Sequence, residues 1–182
     1  MQRVWVVIVA FMAFCGYAVA QVPKGNVFFG YSYENTAIST GDGGNLNGWN
    51  ASLEGKVLPF LGLVVDVDGH YGSRGYTIPC PTGTCATSAD VGAHNVLLGP
   101  RVSFQVGAVR PFAEVMIGAA HVSRSNGISD SDTSFANAVG GGLDYRVAGP
   151  ISLRAQFDWI ETRFYGDTQN GVRFSTGIAF HF

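Results

Sequence analysis

Ile151-Ser-Leu-Arg-Ala-Gln-Phe-Asp-Trp159 alternates without a break. Ile151, Leu153, Ala155, Phe157 and Trp159 hold the odd positions; Ser152, Arg154, Gln156 and Asp158 hold the even ones. Successive side chains of a strand point to opposite faces, so this stretch reads as a strand with one apolar and one polar, charged face. A helix would instead bring positions i, i+3 and i+4 together and mix Ile151 with Arg154 and Ala155.

Seven further segments keep the same period. Val27, Phe29, Tyr31 and Tyr33 oppose Gly30, Ser32 and Glu34; Trp49, Ala51, Leu53 and Val57 oppose Asn50, Ser52, Glu54 and Lys56. Leu61, Leu63, Val65, Val67 and Tyr71 oppose Gly62, Asp66, Asp68 and His70. Later segments set Val96, Leu98 and Val102 against Asn95, Gly99 and Arg101, and Val115 and Ile117 against Arg110 and Glu114. Val139, Leu143 and Tyr145 oppose Gly140, Gly142, Asp144 and Arg146; finally Val172, Phe174, Ile178, Phe180 and Phe182 oppose Arg173, Ser175, Gly177 and His181. Eight such runs predict an all-β, eight-stranded antiparallel up-and-down barrel.

Composition narrows the setting. The 182 residues suffice for one domain. Charged residues make up 13% of the chain, against about 25% in ordinary soluble domains. Hydrophobic residues reach 47%, aromatics 13%, and glycine 25 residues. Such a chain is too apolar to be disordered. A formal net charge of -2 and the lack of any Lys/Arg cluster exclude a nucleic-acid footprint.

The N-terminus reads as an address. Arg3 precedes an apolar run from Val4 to Cys15, and Ala18-Val19-Ala20 has the form of a cleavage site. Residues 1–20 are therefore expected to be a cleaved secretory signal peptide and 21–182 the barrel domain, in an exported protein. No later stretch approaches the roughly 20 apolar residues of a spanning helix. In hydrocarbon every backbone polar group must be paired within the protein, so an exported membrane chain of this kind must close as a barrel.

Connections and volume choose between a membrane barrel and a soluble one. Leu58-Pro59-Phe60, Gly107-Ala108 and Ala148-Gly149-Pro150 are tight turns, whereas the links from Asn35, Gly72 and His121 are long and polar. Short turns at one end and long loops at the other suit an outer-membrane barrel. The interior of an eight-stranded barrel is only just wide enough for side chains. The polar face, with Gly, Ala and Ser between single charges, fits that interior; the face bearing Trp49, Trp159, Tyr71 and Tyr145 does not. The expected lumen network comprises Glu54, Lys56, Asp66, Asp68, Arg101, Arg110, Glu114, Asp144, Arg146, Arg154, Asp158 and Arg173, with Glu34 on the same face. Acids and bases there nearly balance, as buried charges must. His70 and His181 are read as hydrogen-bonding filler among these charges.

The sequence resembles the small eight-stranded outer-membrane barrels, the group of the OmpA transmembrane domain, OmpX and the opacity proteins. Its most specific mark is the last strand, Val172-Arg-Phe-Ser-Thr-Gly-Ile-Ala-Phe-His-Phe182. The resemblance implies outer-membrane lipid as the surroundings and Phe182 as a signal for the barrel-assembly machinery during insertion.

Few residues suggest chemistry. Cys80 and Cys85 enclose Pro81-Thr-Gly-Thr84 and are the only cysteines after residue 20, which in an exported chain favours a disulfide. His121-Val-Ser123 is similar to the His-x-Ser pair of outer-membrane lipid A deacylases, but the Asn that follows Ser there is replaced by Arg124. No catalytic residue, cofactor or metal is expected. The sequence points to a monomeric outer-membrane barrel with a charge-plugged lumen, serving envelope structure or surface interaction through an extracellular ligand of its loops. A small low-conductance channel and a lipid A-modifying enzyme are the alternatives.

Overall fold

A computed structural model of the chain describes residues 24–36, 44–80, 83–125, 129–163 and 168–182. The expected signal peptide lies outside these residues. Eight strands follow in order: β1 Gly25–Thr36, β2 Gly44–Lys56, β3 Leu61–Cys80, β4 Gly83–Ser103, β5 Val109–Ser125, β6 Ser129–Ala148, β7 Ile151–Thr162 and β8 Gln169–His181. Each pairs antiparallel with its sequence neighbours, and β8 returns to β1 to close the barrel. At the seam the Gly25 and Phe182 backbones exchange two hydrogen bonds of 3.0 Å. Closure leaves the sheet without an edge, which a lipid environment demands.

The faces are inverted relative to a soluble barrel. Along β7, Ser152, Arg154, Gln156 and Asp158 are at most 3% exposed, whereas Ile151, Leu153, Phe157 and Trp159 are 42–56% exposed. Tyr71, Phe135 and Trp159 are exposed towards the long-hairpin end, and Phe60, Phe104, Tyr145 and Phe180 towards the short-turn end. Aromatics at both borders of an apolar band are what two membrane interfaces select. At the short-turn end, Gly107 (φ +61°) and Gly149 (φ +51°) supply left-handed backbone that other residues adopt only with strain.

Two links expected as loops are strands. The register of β3 and β4 runs without a shift from Leu61↔Val102 to Cys80↔Gly83, and that of β5 and β6 reaches Ser125↔Ser129. A spanning strand needs only about 9–11 residues, so roughly half of β3 (20 residues) and β4 (21 residues) stands beyond the membrane. The backbone ladder continues there, while the apolar period ends because no lipid faces it. Cys80 and Cys85 fall on opposite strands near the tip, paired in register with Gly83 and Ile78 respectively. Their side chains lie outside the described part.

Val115, 52% exposed and paired with Val139, sits on the lipid-facing surface well away from both ends of β5. Val115→Arg should cost about 2–4 kcal/mol in urea unfolding from lipid vesicles, and Val57→Arg in the short-turn loop about 0–1 kcal/mol. Equal costs at the two positions would contradict the assigned faces.

Candidate functional site: the charged lumen

The lumen is lined by alternate residues of each strand, even-numbered in β1–β3 and β5–β7 and odd-numbered in β4 and β8, and its charges fall into two groups. Towards the short turns, Glu54, Glu114 and Asp144 meet Lys56, Arg101 and Arg154, three acids against three bases. Arg154 clasps Asp144 through Nε (2.6 Å) and Nη2 (2.9 Å), a two-point geometry that suits guanidinium and carboxylate. Arg101 Nε donates to Glu114 (2.6 Å), and Lys56 pairs with Glu54 at 2.6 Å. Phe28 and Phe112 point inward here: the Arg101 guanidinium lies 4.5 Å from the Phe112 ring centre, and that of Arg154 4.8 Å from Phe112 and 5.0 Å from Phe28. A guanidinium over an aromatic face is attracted to its negative quadrupole.

The second group lies deeper, towards the long hairpins. Arg173, fully buried, serves three carboxylates at once: Asp66 at 2.8 Å, Asp158 at 2.8 Å, and Asp68. Gln156 donates to both Glu114 (2.8 Å) and Asp158 (2.9 Å) and so joins the two groups. His70 Nδ1 stands 3.0 Å from both Glu34 and Asp68, and its Nε2 is 2.9 Å from Ser32 Oγ. This assembly crosses β2 because Gly48 pairs with Ser32 on one side and His70 on the other. Without a Cβ at Gly48 the side chains of β1 and β3 meet directly; a Cβ there would strike the Gly69 carbonyl.

Not every expected member belongs to the buried network. Arg146 is exposed next to the β6–β7 turn, beside the register shift between Arg146 and Ala148. Arg110 donates to Gln105 and to His181 (both 3.0 Å) in a small mouth lined also by Asp144, Arg146 and Ser152. Both arginines lie at strand ends, where the lumen opens to solvent. The remaining space holds apolar side chains. Val64, Val91, Leu97, Met116, Val122 and Ile160 form a buried cluster together with three alanines. Outward-facing His121 and Ser123 do not meet: His121 Nδ1 contacts Thr133 Oγ1 at 2.8 Å and Ser123 Oγ reaches the Gly92 carbonyl at 3.4 Å. No nucleophile–base hydrogen bond joins them.

The chain matches the outer membrane protein beta-barrel domain over residues 6–182. It belongs to that family. No curated protein sequence matches it. Among solved structures, this outer-membrane barrel is similar to Neisserial surface protein A, with 16% identity over 87% of this chain and 97% of that one and a TM-score of 0.69. It is also similar to Ail, the attachment invasion locus protein of Yersinia pestis, in complex with the heparin analogue sucrose octasulfate (15% identity, 88% and 100% coverage, TM-score 0.59). The outer membrane protein OprG of Pseudomonas aeruginosa follows the same fold (8% identity, 88% and 96% coverage, TM-score 0.54). At these identities the likeness is one of fold.

Removing one partner of a buried ion pair typically costs about 3–5 kcal/mol, because the other charge stays buried. Arg173→Met, which strands three carboxylates, should reach that range in urea unfolding, whereas Arg146→Met at the exposed rim should change stability by less than about 0.5 kcal/mol. A rim effect as large as that of Arg173 would contradict the division of the charges.

Proposed function

We propose that this outer-membrane barrel is a non-catalytic, monomeric surface-interaction protein whose working parts are the hairpins beyond the membrane. The filled lumen carries this reading. Arg101, Arg154 and Arg173 are at most 1% exposed, and Leu97, Met116 and Val64 are fully buried beside them. Side chains packed in this way oppose a continuous water path and argue against a channel. The extension of β3–β4 and β5–β6 past the span supports a role in presenting surface; strand-paired hairpins hold a binding surface at less entropic cost than free loops.

The attachment invasion locus protein supplies a precedent in name for attachment by this fold. The heparin-type ligand in that structure does not transfer easily. The segments at the long-hairpin end carry Asp42, Asp90, Asp130, Asp132, Glu161 and Asp167 against Arg74, Arg124 and Arg163. Six acids against three bases disfavour a sulfated polyanion. A protein on another cell surface fits better than a glycosaminoglycan. Phe182, whose backbone locks to Gly25 at the seam, is proposed as the residue read by the assembly machinery.

Expression on the surface of a non-adherent bacterium should confer binding to host or neighbouring cells. Replacing residues 74–89 with a two-residue turn should abolish that binding while folded protein is retained. Adherence unchanged by the deletion, or stepwise current from the purified protein in planar bilayers, would overturn the proposal. Soluble heparin should compete poorly.

A further inference from the structure

We propose that Glu34, Asp68 and His70 bind one divalent first-row transition cation of the zinc class inside the barrel. Their ligand atoms all lie within 4.8 Å of one another, and all three residues are buried. The two charge groups of the lumen differ in balance, and the difference marks this cluster. The group near the short turns has three bases for three acids. The deeper group has four carboxylates, Glu34, Asp66, Asp68 and Asp158, and among the described residues only Arg173 and His70 to offset them. Even a protonated His70 leaves two negative charges over, and buried charge must be compensated.

Hydrogen bonding tells the same story independently. Glu34 Oε2, Asp158 Oδ1 and Asn50 Oδ1 are buried and receive no hydrogen bond. All three are acceptors in the deeper group, and the Glu34 oxygen among them is the one that faces His70 Nδ1. Glu34 is 5% exposed, and its Oε2 lies 3.0 Å from His70 Nδ1. That nitrogen is also 3.0 Å from Asp68 Oδ1. A ring nitrogen carries one proton and cannot serve both carboxylates fully. A metal ion in place of that proton bonds to all three atoms.

Two of the three ligand separations are already close to those of a bound ion, and the two carboxylates, within 4.8 Å of each other, would close towards it. Tetrahedral zinc, with bonds of about 2.0–2.2 Å to imidazole and carboxylate, sets its ligands about 3.3–3.5 Å apart. The two 3.0 Å separations would open by a few tenths of an ångström. Second-sphere partners are in place: Ser32 Oγ holds His70 Nε2 (2.9 Å), Asn95 donates to Asp68 Oδ1 (2.9 Å), and Arg173 engages Asp68 Oδ2. The imidazole favours a zinc-class ion over calcium or magnesium, which prefer oxygen-only sites. Three protein ligands leave a fourth position for water.

The test uses untagged full-length protein, both extracted from membranes in detergent and refolded from urea with zinc chloride. Elemental analysis after exhaustive dialysis against buffer without chelator reads the bound metal. Wild type should hold about one zinc per chain in at least one preparation, and zinc should raise its unfolding temperature. Glu34→Gln and His70→Asn, shown to be folded by heat-modifiable gel mobility, should lose stoichiometric zinc. Ser32→Ala, a milder change that frees the ring, should weaken binding about 10–100-fold. His94→Ala/His121→Ala, which removes the outward cross-strand histidine pair, should leave binding intact. Folded wild type without zinc in both preparations, or zinc retained in Glu34→Gln and His70→Asn, would overturn the proposal. So would loss of zinc only in the His94/His121 variant.

Discussion

Two hydrogen bonds between Gly25 and Phe182 begin the seam that turns an eight-stranded sheet into a barrel. Everything else follows from that closure. A sheet without an edge can enter hydrocarbon, because no backbone N–H or C=O is left for water to satisfy. Once in lipid, the outer face must be apolar, so Phe29, Val65, Leu153 and Ile178 lie outside. The polar half of each strand is then forced inward, into a space barely wider than its own side chains. Buried charge in this protein is thus a consequence of closure.

Inward charge demands partners, and the chain supplies them unevenly. Near the short turns, acids and bases match one for one, and two inward phenylalanines pack against the guanidiniums. Deeper in, one arginine serves three carboxylates, and Glu34 and His70 stand at the margin of its reach. The first arrangement is balanced; the second holds more acids than bases among the described residues. Along β4 to β7 the lumen is filled instead by Leu97, Met116, Ala138 and Ile160. The lumen is therefore filled partly by ionic and partly by apolar side chains.

Much of this was legible in the residues. The alternation of Ile151 to Trp159 gives strand, face and phase directly, and inward Asp66, Asp68, Arg154 and Arg173 follow from it. Three things were hidden, each for a physical reason. The length of β3 and β4 is invisible because apolar period records contact with lipid rather than backbone conformation; Thr, Ser and Tyr extend a hairpin in water equally well. Phe28, Val64, Leu97, Phe112 and Met116 sit within apolar runs, where both neighbours are also apolar or the period is blurred, so their inward direction shows only in the register. The Glu34–Asp68–His70 assembly was half visible: Asp66, Asp68 and His70 share a phase, but Glu34 reaches them across the missing side chain of Gly48. Arg146 shares its phase with Asp144 yet emerges into solvent, because phase assigns a face and not a depth.

The inversion of faces is the central claim, and a nitroxide scan of β7 in lipid bilayers tests it most directly. Spin labels would be placed one at a time at positions 151 to 160, and their collision rates measured with oxygen, which partitions into lipid, and with a water-soluble nickel chelate. Positions 151, 153, 155, 157 and 159 should be accessible to oxygen, with positions 152, 154, 156, 158 and 160 immobile and shielded from both reagents. High nickel accessibility at 154, 156 and 158 would mean a water-filled lumen. Nickel access at the odd positions would mean that the apolar face does not meet lipid, and either result would contradict the account.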